Sequence, residues 1–331
     1  NSEFTNISRY DNTIQAAYTS ISGEFLSFGY MAGIRGEYTK RIFNQITLNE
    51  KYPFEKFSFF PSAYITKEFG TENQLQFSYS RRINRPMEWG LNPFPMYSDQ
   101  YSIMYGNPLL EPEYTNSFEL NYQKSFGMSF VSLETFYRKT DNLMTRVTEL
   151  QDDGRLAMRS ININNEKNLG AELMGNFNLF KIVLLNPSFS IYHYQVEGEI
   201  DDATKVKESM NYQAMLSAMF FITKSTKLQI NGFYSSKSAT LQGEMKGHLG
   251  TMASIKQEFF GKKLTVTLSA RNVLNTMKWE STNYGEGYYS YSKFTPEYPN
   301  IKLSISYKIN NYTKKSFESE SEEIPSDGSF Q

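Results

Sequence analysis

Segments of about ten residues in which apolar and polar side chains alternate recur along almost the whole chain, and this period of two limits the fold more than any other feature. The pattern is clearest near the end, where Leu264, Val266, Leu268 and Ala270 stand on one face against Thr265, Thr267, Ser269 and Arg271 on the other. The last segment, 300–309, repeats it, with Ile301, Leu303, Ile305, Tyr307 and Ile309 alternating with Lys302, Ser304, Ser306 and Lys308. Successive strand side chains point to opposite faces, so each segment predicts an antiparallel strand with one apolar and one polar face. About ten residues is also what a tilted strand needs to cross the hydrocarbon layer of a membrane.

Expected strands cover 12–21, 25–39, 57–69, 73–83, 114–124, 129–150, 155–179, 182–196, 206–223, 226–241, 247–260, 262–277 and 300–309. Tight turns at Ser22-Gly23, Gly70-Thr71, Phe126-Gly127, Phe180-Lys181, Lys224-Ser225 and Gly261 alternate with mostly longer connections at 40–55, 85–113, 151–154, 197–205, 242–246 and 278–299. In a membrane barrel the short turns mark the periplasmic rim and the long loops the outside. A soluble β-sandwich shares the alternation, but its turns would not divide so cleanly into two sets. The expected fold is therefore all-β, a transmembrane antiparallel β-barrel of which about thirteen strands are present, over residues 1–310. After it, 311–331 mixes Glu318, Glu320, Glu322, Glu323 and Asp327 with serines, and reads as an acidic tail that cannot bury enough apolar surface to order itself.

Composition agrees. Only 39% of the chain is AVILMFWYC, which is little for a large buried core, yet 16% is aromatic, with 24 Tyr and 26 Phe. A barrel accommodates both, because its lumen face is polar and its aromatic residues form girdles at the two membrane interfaces. No stretch approaches the roughly 18 apolar residues of a transmembrane helix. The absence of cysteine removes disulfide and thiolate chemistry, and a net charge of −1 offers no basic field for nucleic acid.

The stretch 79–114 stands apart from the alternation. Five prolines (Pro86, Pro93, Pro95, Pro108, Pro112) and two glycines (Gly90, Gly106) exclude a continuous helix or central strand, so it reads as a long loop between two strands. Such a loop, carrying Trp89, Phe94, Tyr97, Tyr101 and Tyr105, is expected to pack on its own side chains. The succession Tyr79-Ser80-Arg81-Arg82-Ile83-Asn84-Arg85-Pro86, Leu91-Asn92-Pro93-Phe94 and Tyr105-Gly106-Asn107-Pro108-Leu109 resembles the Bacteroidota-type outer-membrane barrel branch of the TonB-dependent receptors. Weaker echoes lie at Gly33-Ile34-Arg35-Gly36-Glu37-Tyr38-Thr39, Gln242-Gly243 and 270–276. The resemblance implies the C-terminal part of a barrel of about 22 strands. A plug and a TonB-contacting segment would precede it. It also implies location in a Gram-negative outer membrane, with membrane lipid and the TonB complex as partners and room for a surface lipoprotein.

Function is expected to be transport rather than catalysis. His193 and His248 are isolated, no serine lies in a nucleophile motif, and no cofactor is expected. Asp152-Asp153 and Asp201-Asp202 read as turn formers, with Ca2+ binding as the alternative. By strand parity Arg82 points into the lumen near the outer mouth, and Arg81 falls on the lipid-side face beyond the apolar band. Arg81, Arg82 and Arg85, with Trp89, Tyr97, Tyr101 and Tyr105 as stacking surface, are the expected ligand contacts. The alternative is that the arginines tie the loop down through Glu88, Asp99, Glu111 and Glu113. Two functions stay open: energised import of a metal chelate, oligosaccharide or peptide through a plugged barrel, or a barrel acting as a porin, adhesin or structural subunit.

Overall fold

The computed structural model describes residues 5–97, 99–200 and 203–309. The acidic tail expected at 311–331 and the Asp201-Asp202 pair lie outside the described residues. The strands are β1 (Ser8–Phe25), β2 (Phe28–Gln45), β3 (Glu50–Phe69) and β4 (Asn73–Asn84). One helical turn, α1 (Glu88–Leu91), and two short strands, β5 (Met96–Tyr97) and β6 (Ser102–Tyr105), follow. Next come β7 (Glu113–Phe126), β8 (Ser129–Leu150), β9 (Leu156–Leu179), β10 (Val183–Ile200), β11 (Ala203–Phe221) and β12 (Thr226–Ser235). The last are β13 (Ser238–Thr240), β14 (Gly243–Met245), β15 (His248–Phe259), β16 (Leu264–Arg271), β17 (Trp279–Gly285), β18 (Tyr288–Phe294) and β19 (Asn300–Tyr307).

Thirteen of them pair in the unbroken order β1-β2-β3-β4-β7-β8-β9-β10-β11-β12-β15-β16-β19, every neighbour antiparallel, so the expected number of crossing strands is met. Register carries the alternation across the sheet. Ile65 pairs with Phe77 and Phe77 with Leu120; Leu133 pairs with Leu173 and Leu173 with Phe189. Farther on, Leu228, Ile255, Leu268 and Leu303 form one ladder. On the opposite face Ser78 pairs with Glu119, Asn121 with Glu134 and Glu172 with Ser190. A one-residue slip anywhere would exchange the two faces, so the repeated pattern fixes the register.

Little of this sheet is buried between its own strands. The ladder residues Ile65, Phe77, Leu120, Leu133, Leu173, Phe189, Ile255, Leu268 and Leu303 are all exposed, which for an apolar belt of this extent means a lipid surface. At the short-turn rim Phe25, Phe69, Phe126, Phe180, Phe259 and Phe260 are exposed, as an interfacial aromatic girdle requires. The buried apolar clusters lie instead toward the long-loop end. One joins Val147, Ile163, Val196, Ile200 and Leu241; the other joins Phe43, Leu91 and Leu110.

Several expected boundaries move. The first hairpin turns at Leu26-Ser27, both at positive φ, and not at Ser22-Gly23. Gly23 sits inside β1 opposite Tyr30, whose hydroxyl would lie 2.6 Å from a Cβ there, so this glycine makes room for a ring and does not form a turn. The expected loops 40–55 and 197–205 shrink because β2, β3, β10 and β11 extend well beyond the apolar band. The expected strand 226–241 divides into β12 and β13, and 262–277 ends as β16 at Arg271. The expected loop 278–299 contains the β17–β18 hairpin, which with β13 and β14 makes a separate four-stranded sheet in the order β13-β14-β17-β18.

Candidate ligand site in the lumen wall and outer cap

The 85–112 connection is a folded brace. Leu91 reaches Phe43 of β2 because α1 turns the chain there, and Leu110 closes the same cluster. Asn92 Oδ1 accepts from Gln45 Nε2 at 2.7 Å and from Phe94 N at 3.0 Å, while Gly106 N donates to Asn92 O at 2.8 Å. A Cβ on Gly106 would lie 2.4 Å from that carbonyl, so only glycine lets the two segments meet. Buried Arg41 donates to Leu110 O at 2.7 Å. Strand β6 adds in parallel to the outer end of β9, with Ser102 opposite Leu156.

The seven expected contacts do not converge. Arg85 pairs with Glu37 on β2, so it ties the loop down, but through none of Glu88, Asp99, Glu111 or Glu113. Those acids serve elsewhere: Asp99 holds Tyr101 N, Glu111 pairs with Lys56 at 2.6 Å, and Glu113 accepts from Asn84 and Met144 N. Arg81 stacks 5.1 Å from the centre of the Tyr114 ring. Arg82 is exposed on the inner face beside Ser80 and Asn84. Trp89 and Tyr105 do meet, around a slot closed by Arg146, Met158 and Arg159. Tyr97 lies under Arg155, 5.6 Å from its guanidinium carbon, and Tyr101 is exposed at the loop surface. In the 151–155 turn, Asp153 is held below the usual carboxylate range by hydrogen bonds from the Arg155 side chain and backbone. Among the described residues no three His, Asp or Glu side chains converge to hold a metal ion. His193 faces Glu208 at 3.4 Å, and His248 lies between Phe233 and Trp279.

A larger enclosure, not foreseen from the sequence, lies in the inner wall of β8–β11. One cavity of about 370 Å³ is lined by Phe136, Arg138, Glu166, Asn168, Glu172, Tyr192, Tyr194, Asn211 and Gln213, and Ser238, Ala239, Thr240 and Met245 roof it. A neighbour of about 420 Å³ shares Glu172, Ser190 and Gln213 with it and extends to Phe233 and His248, so the two form one trough. Arg138 donates to Glu119 at 2.8 Å and Glu134 at 3.1 Å while its guanidinium lies 4.1 Å over Phe136. Gln213 donates to the Tyr192 hydroxyl at 3.2 Å, and Asn168 to Glu166 at 2.6 Å.

The four-stranded sheet holds the roof in place. Gln242, 7% exposed, uses its side-chain amide as a strand edge, accepting from Thr148 N and donating to Thr148 O, both at 2.8 Å. The Tyr288 hydroxyl donates to the same carbonyl, and Asn211 donates to Ser238 at 3.2 Å. The Gln242-Gly243 echo seen in the sequence is therefore the point where the small sheet is fastened to the wall. A Cβ on Gly243 would lie 1.9 Å from Thr282 O. The only sequence trace of the trough was the polar parity of β8 to β11, which looks the same whether an inner wall binds a ligand or only water.

The sequence profile of the outer membrane protein β-barrel family matches residues 1–307. No match was found among curated proteins. The fold is similar to that of the siderophore receptor PirA from Pseudomonas aeruginosa, at 12% identity over 82% of this chain and 55% of the other, TM-score 0.57. It is also similar to the FrpB iron transporter from Neisseria meningitidis, at 13% identity over 89% and 45%, TM-score 0.53. For the copper transporter OprC the identity is 10% over 90% and 47%, TM-score 0.61. The chain spans about half the length of these structures.

Proposed function

Since this chain belongs to the outer membrane protein β-barrel family and resides in the outer membrane, we propose that it supplies wall, inner trough and outer cap to a TonB-dependent receptor that imports a scarce nutrient. The observation that carries this reading is the roofed trough. A general porin needs an open aqueous lumen, whereas here the four-stranded sheet partly covers a polar trough in the wall. The folded 85–112 brace and the β8–β9 arm extend the same cap, since β6 pairs with β9 and Gln242 with β8. Energy from the inner membrane would then release a ligand held at the outer mouth.

The full-length protein in planar bilayers is expected to show no steady conductance. Cells carrying it are expected to take up ligand only while the proton-motive force and TonB are intact. Steady conductance together with uptake that survives loss of TonB would replace the import reading with that of a passive pore.

A further inference from the structure

On the lipid side of the wall, at the long-loop end of the apolar belt, four donor side chains stand in one cross-strand row. Arg81 pairs with Asn116, Asn116 with Lys139 and Lys139 with Lys167. The next row toward the belt is Tyr79, Phe118, Tyr137 and Leu169, in the same register. Its rings pack along the row, with centres 4.8 Å apart for Tyr79 and Phe118 and 6.5 Å apart for Phe118 and Tyr137. Phe118, Tyr137 and Leu169 are exposed. Aromatic residues at the edge of such a belt mark the membrane interface, and the long loops mark the outside. The donor row therefore lies at the headgroup level of the outer leaflet.

This row has more positive charge than the protein neutralises. Lys139 pairs with Asp141 at 2.6 Å, but neither Arg81 nor Lys167 meets a carboxylate among the described residues. The next acid, Glu197, stands two residues farther out on β10 than the partner of Lys167 and accepts from Asn165 at 3.4 Å. Lys139 and Lys167 are directly opposite each other, a like-charge pairing that destabilises a sheet unless an anion lies between them. Arg81 is held over the Tyr114 ring, 5.1 Å from its centre, and its Nε is buried without a partner. Asn116 Oδ1 accepts from the Tyr79 hydroxyl at 3.0 Å, which leaves the amide hydrogens of Asn116 as donors. Guanidinium, amide and two ammonium groups in line are complementary to phosphate oxygens, and the apolar row beneath them is complementary to acyl chains.

We propose that Arg81, Asn116, Lys139 and Lys167 bind the anionic phosphate headgroup of an outer-leaflet lipid whose chains lie along Phe118, Tyr137 and Leu169. A free anion would gain nothing from the aromatic row, so the two rows together select a lipid. The proposal rests on residence in the outer membrane and is independent of what the barrel carries.

The test uses the full-length protein reconstituted in phosphatidylcholine vesicles containing either phosphatidic acid, whose headgroup is a bare phosphate, or diacylglycerol, which lacks it. Lipid retained after extraction into detergent is counted by native mass spectrometry. Phosphatidic acid is expected to be retained about tenfold or more above its share of the bilayer, and diacylglycerol at its share. Replacing Arg81→Gln and Lys167→Gln together is expected to lower that enrichment by about tenfold. The same variant should fold in pure phosphatidylcholine as well as the parent protein, or better, because the lysine pair no longer repels. Lys224→Gln, in a tight turn at the opposite rim, should keep the full enrichment. Equal retention of diacylglycerol, undiminished enrichment in the double variant, or an equal loss in K224Q would overturn the assignment. Displacement of the lipid by inorganic phosphate at equal concentration would reduce the row to a site for a free anion and would overturn it too. Should the double variant fail to fold, Lys167→Gln alone decides, since it leaves Arg81 on Tyr114; unchanged enrichment there rejects the proposal.

Discussion

Val266 and Thr267 are adjacent in β16, yet they face different solvents. Val266 pairs with Ile305 in the apolar belt, and Thr267 pairs with Ser304 on the inner face. Val266→Arg should cost roughly 2–4 kcal/mol at the midplane. Thr267→Arg should cost far less, and a folding titration of both variants checks the difference. Leu91, fully buried against Phe43, gives a second handle: Leu91→Ala should destabilise by about 2–5 kcal/mol, read as a lowered unfolding midpoint. At this scale the sequence was informative about faces and poor about partners. The lumen side of Arg82 followed from parity alone. That Arg85 would choose Glu37, 48 residues away, depended on a packing of loop against β2 that no local pattern encodes.

Elements were legible where alternation or turn chemistry was strong. The short rim turn at Gly70 and the strands on either side of it were found because glycine at φ +65° marks the turn. The Leu26-Ser27 turn was missed because neither residue advertises positive φ, and the β17–β18 hairpin because seven-residue strands at 279–294 look like aromatic loop. That hairpin also carries a pH dependence. Glu280 is held below its ordinary value of 4.5, chiefly by the hydrogen bond from Lys246 at 3.0 Å and then by that from the Tyr291 hydroxyl at 2.8 Å. With the folded value below the unfolded one, its contribution is complete above pH 4.5 and fades as pH falls through the lowered folded value. Protection of the β14 and β17 amides, corrected for intrinsic exchange, should therefore fall below that pH, and Glu280→Gln should remove the fall. Deleting 87–110 should uncover Phe43 and Gln45 and lower the stability of the outer ends of β2 and β3. Heat-modifiable migration of the deletion variant measures this.

For the whole molecule, the thirteen-strand order and the membrane-facing belt were legible because one physical rule, apolar outside and polar inside, acts on every strand. The trough and its roof were not, because the roof is fastened by contacts between segments 94 and 140 residues apart, Gln242 with Thr148 and Tyr288 with Thr148. The central claim is that these strands cross lipid with one face on each side. This chain contains no cysteine, so with any cysteine elsewhere in the full-length protein replaced by serine, single cysteines placed at each position from 301 to 306 can carry a spin label without background. In outer-membrane lipid, collision with dissolved oxygen should be high at Ile301, Leu303 and Ile305 and low at Lys302, Ser304 and Ser306, with water-soluble reagents showing the opposite order. Uniform accessibility along β19, with no period of two, would contradict the account.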